Sequence, residues 1–256
     1  MIKLPVLLIA ILITVSMNAE AYLLREAPRG DWVRWHESEV DILLDPSLKV
    51  VGPLPEVEQA IIEGFRIWTE QSVLPVSFRF KRVQCAADTD NRSNCILACA
   101  TSESCEQFTR NKGATTQLRY SRRGQIFGAS IVLNSRDWKW SLGHDDDRGL
   151  DLRFVIAHEA GHFLGIRHSK HPAAVMYPIM QQKDTRPLHL TRDDRAAVRA
   201  LYGRKSDMKY GHVTGTRQRN GHHSLVERSL LILYMFLSLV SMVLYSRESV
   251  GKPAAA

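Results

Sequence analysis

The chain has 256 residues, a formal net charge of +7 and a hydrophobic content of 45%. Residues 204–228 hold six Lys or Arg against two Asp or Glu, which gives +4 of that +7. Because this basic segment has no apolar periodicity and contains three glycines, it is typical of a flexible linker. Charge that sits in a linker argues against nucleic acid as a partner.

Residues 1–21 have the three parts of a secretory signal peptide. Lys3 gives a short cationic start, residues 4–15 are almost wholly apolar, and small residues at Ala19 and Ala21 suit cleavage after either alanine. The alternative is a retained N-terminal anchor, although the apolar run is short for a membrane span. In either case, we expect the rest of the chain to be exported.

All the cysteines of the chain fall within residues 85–105, which we interpret as a cysteine-rich insertion loop. An even number of cysteines in an exported chain predicts two local disulfides that pin a surface loop, in any of three pairings. A second zinc bound by the thiolates is the alternative, but no C-x-x-C pair supports it. The four residues are Cys85, Cys95, Cys99 and Cys105.

Apolar spacing divides residues 22–203 into the strands and helices of one α+β domain, which is long enough to bury a real core. Alternation of apolar and polar residues predicts strands at residues 32–35, 40–44, 76–80, 117–120 and 126–134. Apolar residues three and four positions apart predict helices at residues 55–68, 152–164 and 190–202. Asp151 and Thr191 are the predicted N-caps of the last two helices.

Residues 143–147, Gly-His-Asp-Asp-Asp, precede the predicted helix at 152–164 and allow two interpretations. The acidic cluster suits Ca2+, and His144 suits a structural metal. The alternative, which we favour, is a solvated loop whose charges merely precede a helix.

The sequence from His158 to His168 reads H-E-x-x-H-x-x-G-x-x-H. His158 and His162 are four residues apart, so on a helix both imidazoles face the same ion. Glu159 lies between them, where a carboxylate takes a proton from metal-bound water. Gly165 allows a left-handed turn that brings His168 in as a third ligand. Three neutral imidazoles leave one zinc position open, which is typical of a catalytic site. The alternative interpretation of the motif is an amphipathic helix with incidental histidines.

Residues 229–245 carry no charge across 17 positions, which is the lower limit for a membrane-spanning helix. We expect this segment to be a C-terminal transmembrane anchor, followed by a polar tail at residues 246–256. A buried core helix is the alternative, but nothing downstream remains for it to pack against. The basic linker would then lie on the outer side of the membrane, although Lys and Arg are usually enriched on the cytoplasmic side. Long segments are translocated despite their charge.

Three separated motifs make the chain resemble a metzincin metallopeptidase of the matrixin type (peptidase M10), closest to compact exported matrixins of bacteria. The first is the long zinc motif. The second, residues 175–178, matches the Met-turn, a tight turn beneath the zinc. The third, residues 190–203, is similar to the closing helix of the family. The resemblance covers most of residues 30–203, with the cysteine loop as an insertion.

The resemblance implies a metzincin fold with a twisted five-stranded mixed sheet, three helices and a cleft centred on one catalytic Zn2+. It makes Met176 a structural floor of the site and not a zinc ligand, and it implies that Asp193 or Asp194 braces the Met-turn. It also implies that the segment from Gly128 to Leu133 is the strand that binds a polypeptide substrate in extended form. The residues that the resemblance implies for the substrate cleft are Gly128, Ala129, Ser130, Ile131, Pro178, Ile179 and Met180.

Matrixins of the vertebrate type carry a propeptide whose cysteine blocks the zinc. Here about ten residues separate the predicted cleavage site from the first strand, and no cysteine precedes Cys85. We therefore do not expect latency of that kind.

These observations predict a zinc metalloendopeptidase that cleaves extracellular, extracellular-matrix or cell-envelope proteins with Glu159 as general base. We expect it outside the cytoplasm, tethered to the membrane by its C-terminal helix. One alternative is a zinc-binding but inactive interaction module, against which the intact Glu159 argues. The other is a hydrolase of cell-wall peptide crosslinks. The sequence does not indicate an oligomeric state.

Overall fold

The computed structural model describes residues 21–71, 73–85, 92–108, 112–142, 149–179 and 188–203. Within these ranges, no helix is long and apolar enough to cross a membrane. Several predictions lie outside the described residues: the signal peptide up to residue 20, the acidic cluster at 143–147, Met180, the linker at 204–228, the span at 229–245 and the polar tail at 246–256.

The described residues form nine strands, three α-helices and one 3-10 helix. The strands are β1 (Leu23–Leu24), β2 (Glu39–Leu44), β3 (Ser77–Arg82), β4 (Asn94–Cys99), β5 (Ala114–Tyr120), β6 (Ile126–Asn134), β7 (Trp140–Ser141), β8 (Leu150–Asp151) and β9 (Ile166–Arg167). The helices are α1 (Leu54–Thr69), α2 (Leu152–Phe163), α3 (Arg192–Tyr202) and the 3-10 helix Pro46–Val50.

The sequence predicted all three α-helices and four of the five proposed strands to within a few residues. The prediction of a strand at residues 32–35 is wrong. These residues form only isolated bridges, from Trp32 to Glu26 and from Arg34 to Gln125. Their alternation of apolar and polar residues reflects burial of Val33 and Trp35 in the core and not membership of the sheet.

The central sheet has five strands in the order β3-β2-β4-β6-β5. All neighbouring strands run parallel except β5, which is antiparallel to β6. In β2, Val40, Ile42 and Leu44 point to the core while the residues between them are partly exposed. The predicted five-stranded mixed sheet is therefore confirmed.

The edge strands of this sheet are β3 and β5, whereas the segment from Gly128 to Leu133, which was expected to bind an extended peptide, is not at an edge. That segment lies in β6, where Ser130 pairs with Cys95 of β4 on one side and with Gln117 of β5 on the other. A strand that is paired on both sides has no backbone groups left for a substrate. The strong apolar pattern of β6 marks an interior strand, whereas the edge strand is more polar.

The two predicted disulfides are present, and they join Cys85 to Cys95 and Cys99 to Cys105. Because no cysteine is free, the alternative of a thiolate-bound second zinc is wrong. The description of residues 85–105 as an insertion loop is wrong in part. Both Cys95 and Cys99 belong to β4, an interior strand of the sheet.

Aromatic side chains fix α2 in the core. Phe65 of α1 meets Phe163 of α2 edge to face, with ring centroids 5.5 Å apart. The Trp68 indole donates to the Ala157 carbonyl at 2.8 Å, and the Trp35 indole donates to the Phe163 carbonyl at 2.9 Å. Each tryptophan thus buries a large apolar surface while its one polar atom stays hydrogen-bonded. The helix that carries the zinc motif is therefore held at its middle and at its C-terminal end.

The contact between α1 and α2 is close enough to require glycine at position 64. A Cβ atom there would lie 2.6 Å from the Ile156 Cγ2 atom and 2.9 Å from the Ala157 nitrogen. In an ordinary helix, Gly→Ala stabilises by up to about 1 kcal/mol. We expect Gly64→Ala instead to lower the free energy of unfolding by about 1–3 kcal/mol, because it overpacks the interface.

Urea denaturation of the purified protein measures this change. The control is Gln59→Ala on the same helix, which we expect to change stability by no more than about 0.5 kcal/mol. A Gly64→Ala protein more stable than wild type would contradict the close packing of α1 against α2.

Candidate zinc site and substrate cleft

Local sequence signals define both ends of α2. The Asp151 side chain accepts a hydrogen bond from the Arg153 amide at 2.9 Å, which confirms it as the N-cap. Gly165, two residues past the end of the helix, has φ +100°. A Cβ atom at this position would lie 2.0 Å from the Val33 carbonyl oxygen. Glycine is thus required both by the left-handed conformation and by the close approach of the chain.

The turn at Gly165 brings the three predicted zinc ligands together. Ligand atoms of His158, His162 and His168 all lie within 4.8 Å of one another. The Nε2 atoms of His162 and His168 are 3.1 Å apart. Two nitrogens that share a tetrahedral zinc at about 2.0–2.1 Å are separated by roughly 3.3 Å, so the spacing of this pair is close to that of two zinc ligands.

Backbone carbonyls set the tautomers of two of these histidines. The Nδ1 atom of His158 lies 2.7 Å from the Val175 oxygen, and that of His162 lies 2.8 Å from the Ile166 oxygen. A carbonyl oxygen only accepts, so each Nδ1 carries the proton and each Nε2 keeps its lone pair for a metal. Burial and the neighbouring His158 hold the pKa of His162 well below its usual range, which keeps the ring neutral.

Glu159 is nearly inaccessible to solvent, with 5% of its surface exposed. Burial raises the pKa of its carboxyl to about 7, and a hydrogen bond from Thr116 opposes that rise. The Thr116 hydroxyl lies 2.5 Å from Oε2 of Glu159 and 3.2 Å from the Glu159 carbonyl oxygen. Thr116 belongs to the edge strand β5. Sequence patterns missed it because the contact joins residues 43 positions apart.

Met176 lies beneath the zinc helix and is almost fully buried. A Cβ atom at Gly161 would come within 2.2 Å of the Met176 sulfur, so the thioether packs directly against the helix backbone. Asp194 accepts hydrogen bonds from the amides of Val175 at 3.0 Å and Met176 at 3.2 Å. Of the two acidic residues expected to brace the Met-turn, Asp194 therefore makes the contacts.

Asp193 has a different set of partners. It accepts from the amides of Ala21 at 2.8 Å and Tyr22 at 3.2 Å, and from the Ser169 hydroxyl at 2.6 Å. This carboxylate joins the first described residues of the chain to α3 and to the segment that follows His168. Asp193 is partly buried and binds the segment after His168, whereas Asp194 is fully buried and binds the Met-turn.

The three histidines and Glu159 line a cleft with a volume of about 380 Å³. One wall is the beginning of β5, and apolar surface comes from Trp138, Leu150 and Val155. Pro178 lines the cleft as expected, whereas Ile179 is not among its lining residues and is 57% exposed. The predicted residues Gly128 to Ile131 are not brought to the cleft, because they lie one strand further into the sheet.

The bracing of the Met-turn by Asp194 predicts a linked loss of stability and zinc affinity. Asp194→Ala leaves two buried amides without an acceptor, which we expect to lower the free energy of unfolding by about 3 kcal/mol. The turn also positions the Val175 carbonyl that orients His158, so zinc affinity should fall roughly tenfold to 100-fold. Urea unfolding and zinc titration against a competing chelator measure the two effects.

Asp45→Ala is the matched control, because Asp45 also accepts from two backbone amides, those of Ser47 and Cys85, outside the cleft. We expect it to lower stability while zinc affinity stays close to that of wild type. An equal loss of zinc affinity in both variants would contradict a specific role for Asp194.

Comparison with known proteins agrees with this geometry. The matrixin family model matches residues 34–203, which is more than half of the chain. Matrilysin of Rattus norvegicus is 28% identical over 192 residues, covering 74% of this chain and 64% of the relative. Matrix metalloproteinase-16 of Homo sapiens is 28% identical over 173 residues, covering 66% of this chain and 27% of the relative. The chain thus spans less than two thirds of these relatives, and it belongs to the matrixin family.

Proposed function

We propose that this protein is a zinc-dependent endopeptidase that hydrolyses peptide bonds of extracellular or cell-envelope proteins. The observation that carries this proposal is the cluster of His158, His162 and His168 beside the buried carboxylate of Glu159 in an open cleft. Membership of the matrixin family supports the same activity. Because the chain spans only part of its relatives, the activity is proposed from its own residues.

The three histidines would hold one Zn2+, and two of them are already oriented by backbone carbonyls. Zinc in this position supplies Lewis-acid chemistry, lowering the pKa of a water molecule and polarising the scissile carbonyl. Glu159 accepts the proton of the attacking water and then delivers it to the leaving amine. Its place between two ligand histidines keeps the carboxylate next to the reacting atoms without making it a ligand.

The substrate would lie along β5 as an added strand. β5 ends the strand order of the sheet, and the beginning of the strand, from Ala114 to Thr116, lines the cleft. Backbone hydrogen bonds to such an edge bind a peptide independently of its side chains. We propose Pro178, and Ile179 and Met180 after it, as part of the wall of a side-chain pocket.

Thr116 holds the general base in place. Its hydroxyl donates to Oε2 of Glu159 and so restricts rotation of the carboxylate, while the edge strand that carries it also forms a wall of the cleft. The same strand thus borders the proposed substrate and positions the general base on α2. Positioning of this kind matters because small displacements of a catalytic group lower the rate strongly.

We propose the following organisation for the whole chain. Residues 1–21 are the signal peptide, 22–203 the peptidase domain, 204–228 a basic linker, 229–245 a membrane anchor and 246–256 a polar tail. The pattern of charged and apolar residues supports this division. Mass spectrometry of the mature N-terminus and fractionation of expressing cells test it.

Two substitutions test the catalytic assignment. We expect Glu159→Ala to lower the rate of casein cleavage about 100-fold to 10,000-fold, because the general base is lost, while the zinc content remains. His162→Ala should lose both zinc and activity. Cleavage is followed by release of soluble peptides, and zinc is measured by atomic absorption.

A chelated and zinc-reloaded wild-type sample is the control for metal loss. Peptidoglycan assayed beside casein separates a protein substrate from a cell-wall crosslink. Cleavage of casein by the Glu159→Ala protein at the wild-type rate would overturn the assignment.

Thr116→Val replaces the hydroxyl by a methyl group of similar shape. We expect kcat to fall about tenfold with little change in KM, because Glu159 loses its positioning contact but the edge strand keeps its backbone. Thr116→Ser keeps the hydroxyl and should restore most of the rate. Unchanged kcat in Thr116→Val, or equal losses in both variants, would exclude a role for the hydroxyl.

A further inference from the structure

Three basic side chains line the cleft together with the zinc-binding histidines: Arg25, Lys112 and Arg167. They come from separate parts of the chain. β1 pairs with β9 in a register that sets Leu23 opposite Arg167, and the Arg25 amide donates to the Gly165 carbonyl at 3.2 Å. Lys112 lies two residues before the first residue of the edge strand β5. Three remote segments thus deliver positive charge to one cavity.

Little negative charge lies near these cations among the described residues. Among the described residues that line the cleft, Glu159 is the single carboxylate, and it already accepts a hydrogen bond from Thr116. Within the described part of the chain, none of the three cations forms an ion pair. The Nε atom of Arg25 is buried and has no hydrogen-bond partner there.

The opposite edge of the sheet is built differently. On β3, Arg79 and Lys81 both pair with Asp41 at 2.7 Å. Among the described residues, Arg79 and Lys81 at the β3 edge are thus paired, whereas the basic side chains that line the cleft form no ion pair. Cations that line a cleft without an ion-pair partner among the described residues can pair with a carboxylate that a ligand brings.

We infer that the cleft selects polypeptides that carry Asp or Glu side chains beside the scissile bond. This inference rests on the proposed peptidase function and names its substrate class. In an extended peptide, successive side chains point to opposite sides. Acidic residues next to the scissile bond therefore reach different walls of the cleft. Arginine binds carboxylates in a bidentate fork, and lysine adds a point charge. The unpaired cations also attract acidic segments over a longer range.

The test uses the full zinc-loaded chain and two synthetic peptides with a common alanine–leucine bond. One peptide carries two glutamates on each side of that bond, and the other carries glutamines at the same positions. We measure kcat/KM for each peptide and compare the ratio between protein variants. Any change that affects catalysis of both peptides equally cancels in this ratio.

We expect wild type to prefer the glutamate peptide by about tenfold at low ionic strength, and we expect the preference to shrink as salt is added. Lys112→Glu should abolish or reverse the preference. The matched control is Lys49→Glu, the same substitution at an exposed lysine at the end of the 3-10 helix, outside the cleft. It changes the net charge equally and should leave the ratio unchanged.

Binding of fluorescently labelled versions of both peptides to zinc-loaded Glu159→Ala protein separates this inference from the proposed function. Tighter binding of the glutamate peptide without any cleavage by wild type would support the inference and overturn the peptidase proposal. Cleavage of casein by wild type with equal binding and equal kcat/KM for both peptides would overturn the inference alone. An equal loss of preference in Lys49→Glu and Lys112→Glu would also overturn it, because net charge would then explain the effect.

Discussion

The fixed position of α2 is the constraint on which the rest of this structure depends. Trp68 holds the carbonyl of Ala157, one residue before the first ligand histidine, and Trp35 holds the end of the helix at Phe163. Glycines at 64 and 161 let a second helix and the Met-turn approach the helix backbone more closely than any side chain would permit. Contacts within the core thus fix the helix from which two of the histidines project.

Two buried carboxylates of this domain illustrate how surroundings decide the role of one chemical group. Asp194 lies at the start of α3, where amides of the Met-turn and both donors of Thr191 satisfy its oxygens. Glu159 has the Thr116 hydroxyl as its side-chain partner and faces the cleft. A carboxylate surrounded by donors stabilises a turn, whereas one that is buried with few donors has a raised pKa and exchanges protons readily.

The distribution of charge separates the two edges of the sheet. Asp41 of β2 forms ion pairs with Arg79 and Lys81 of β3, and charged side chains on an edge strand discourage edge-to-edge association of sheets. The cleft beside β5 keeps unpaired cations among the described residues, next to a strand suited to bind a peptide. Among the described residues, the β5 edge and the β3 edge thus differ in charge pairing as well as in strand direction.

The sequence by itself determined the zinc ligands, the helix that carries them, and the N-caps Asp151 and Thr191 of the last two helices. These signals are local: a spacing of four residues, a capping side chain and a glycine turn. The sequence also indicated five strands, of which four are real. Only the tertiary structure decided which strand is the edge, since the apolar pattern of β6 reports burial between two neighbours and not position in the sheet. The disulfide pairing, the contact of Thr116 with Glu159 and the cluster of Arg25, Lys112 and Arg167 were equally out of reach. The contact and the cluster join residues that lie far apart in sequence, and the disulfide pairing is one of three that the sequence allows equally. Only the folded chain sets the distances that decide these partners.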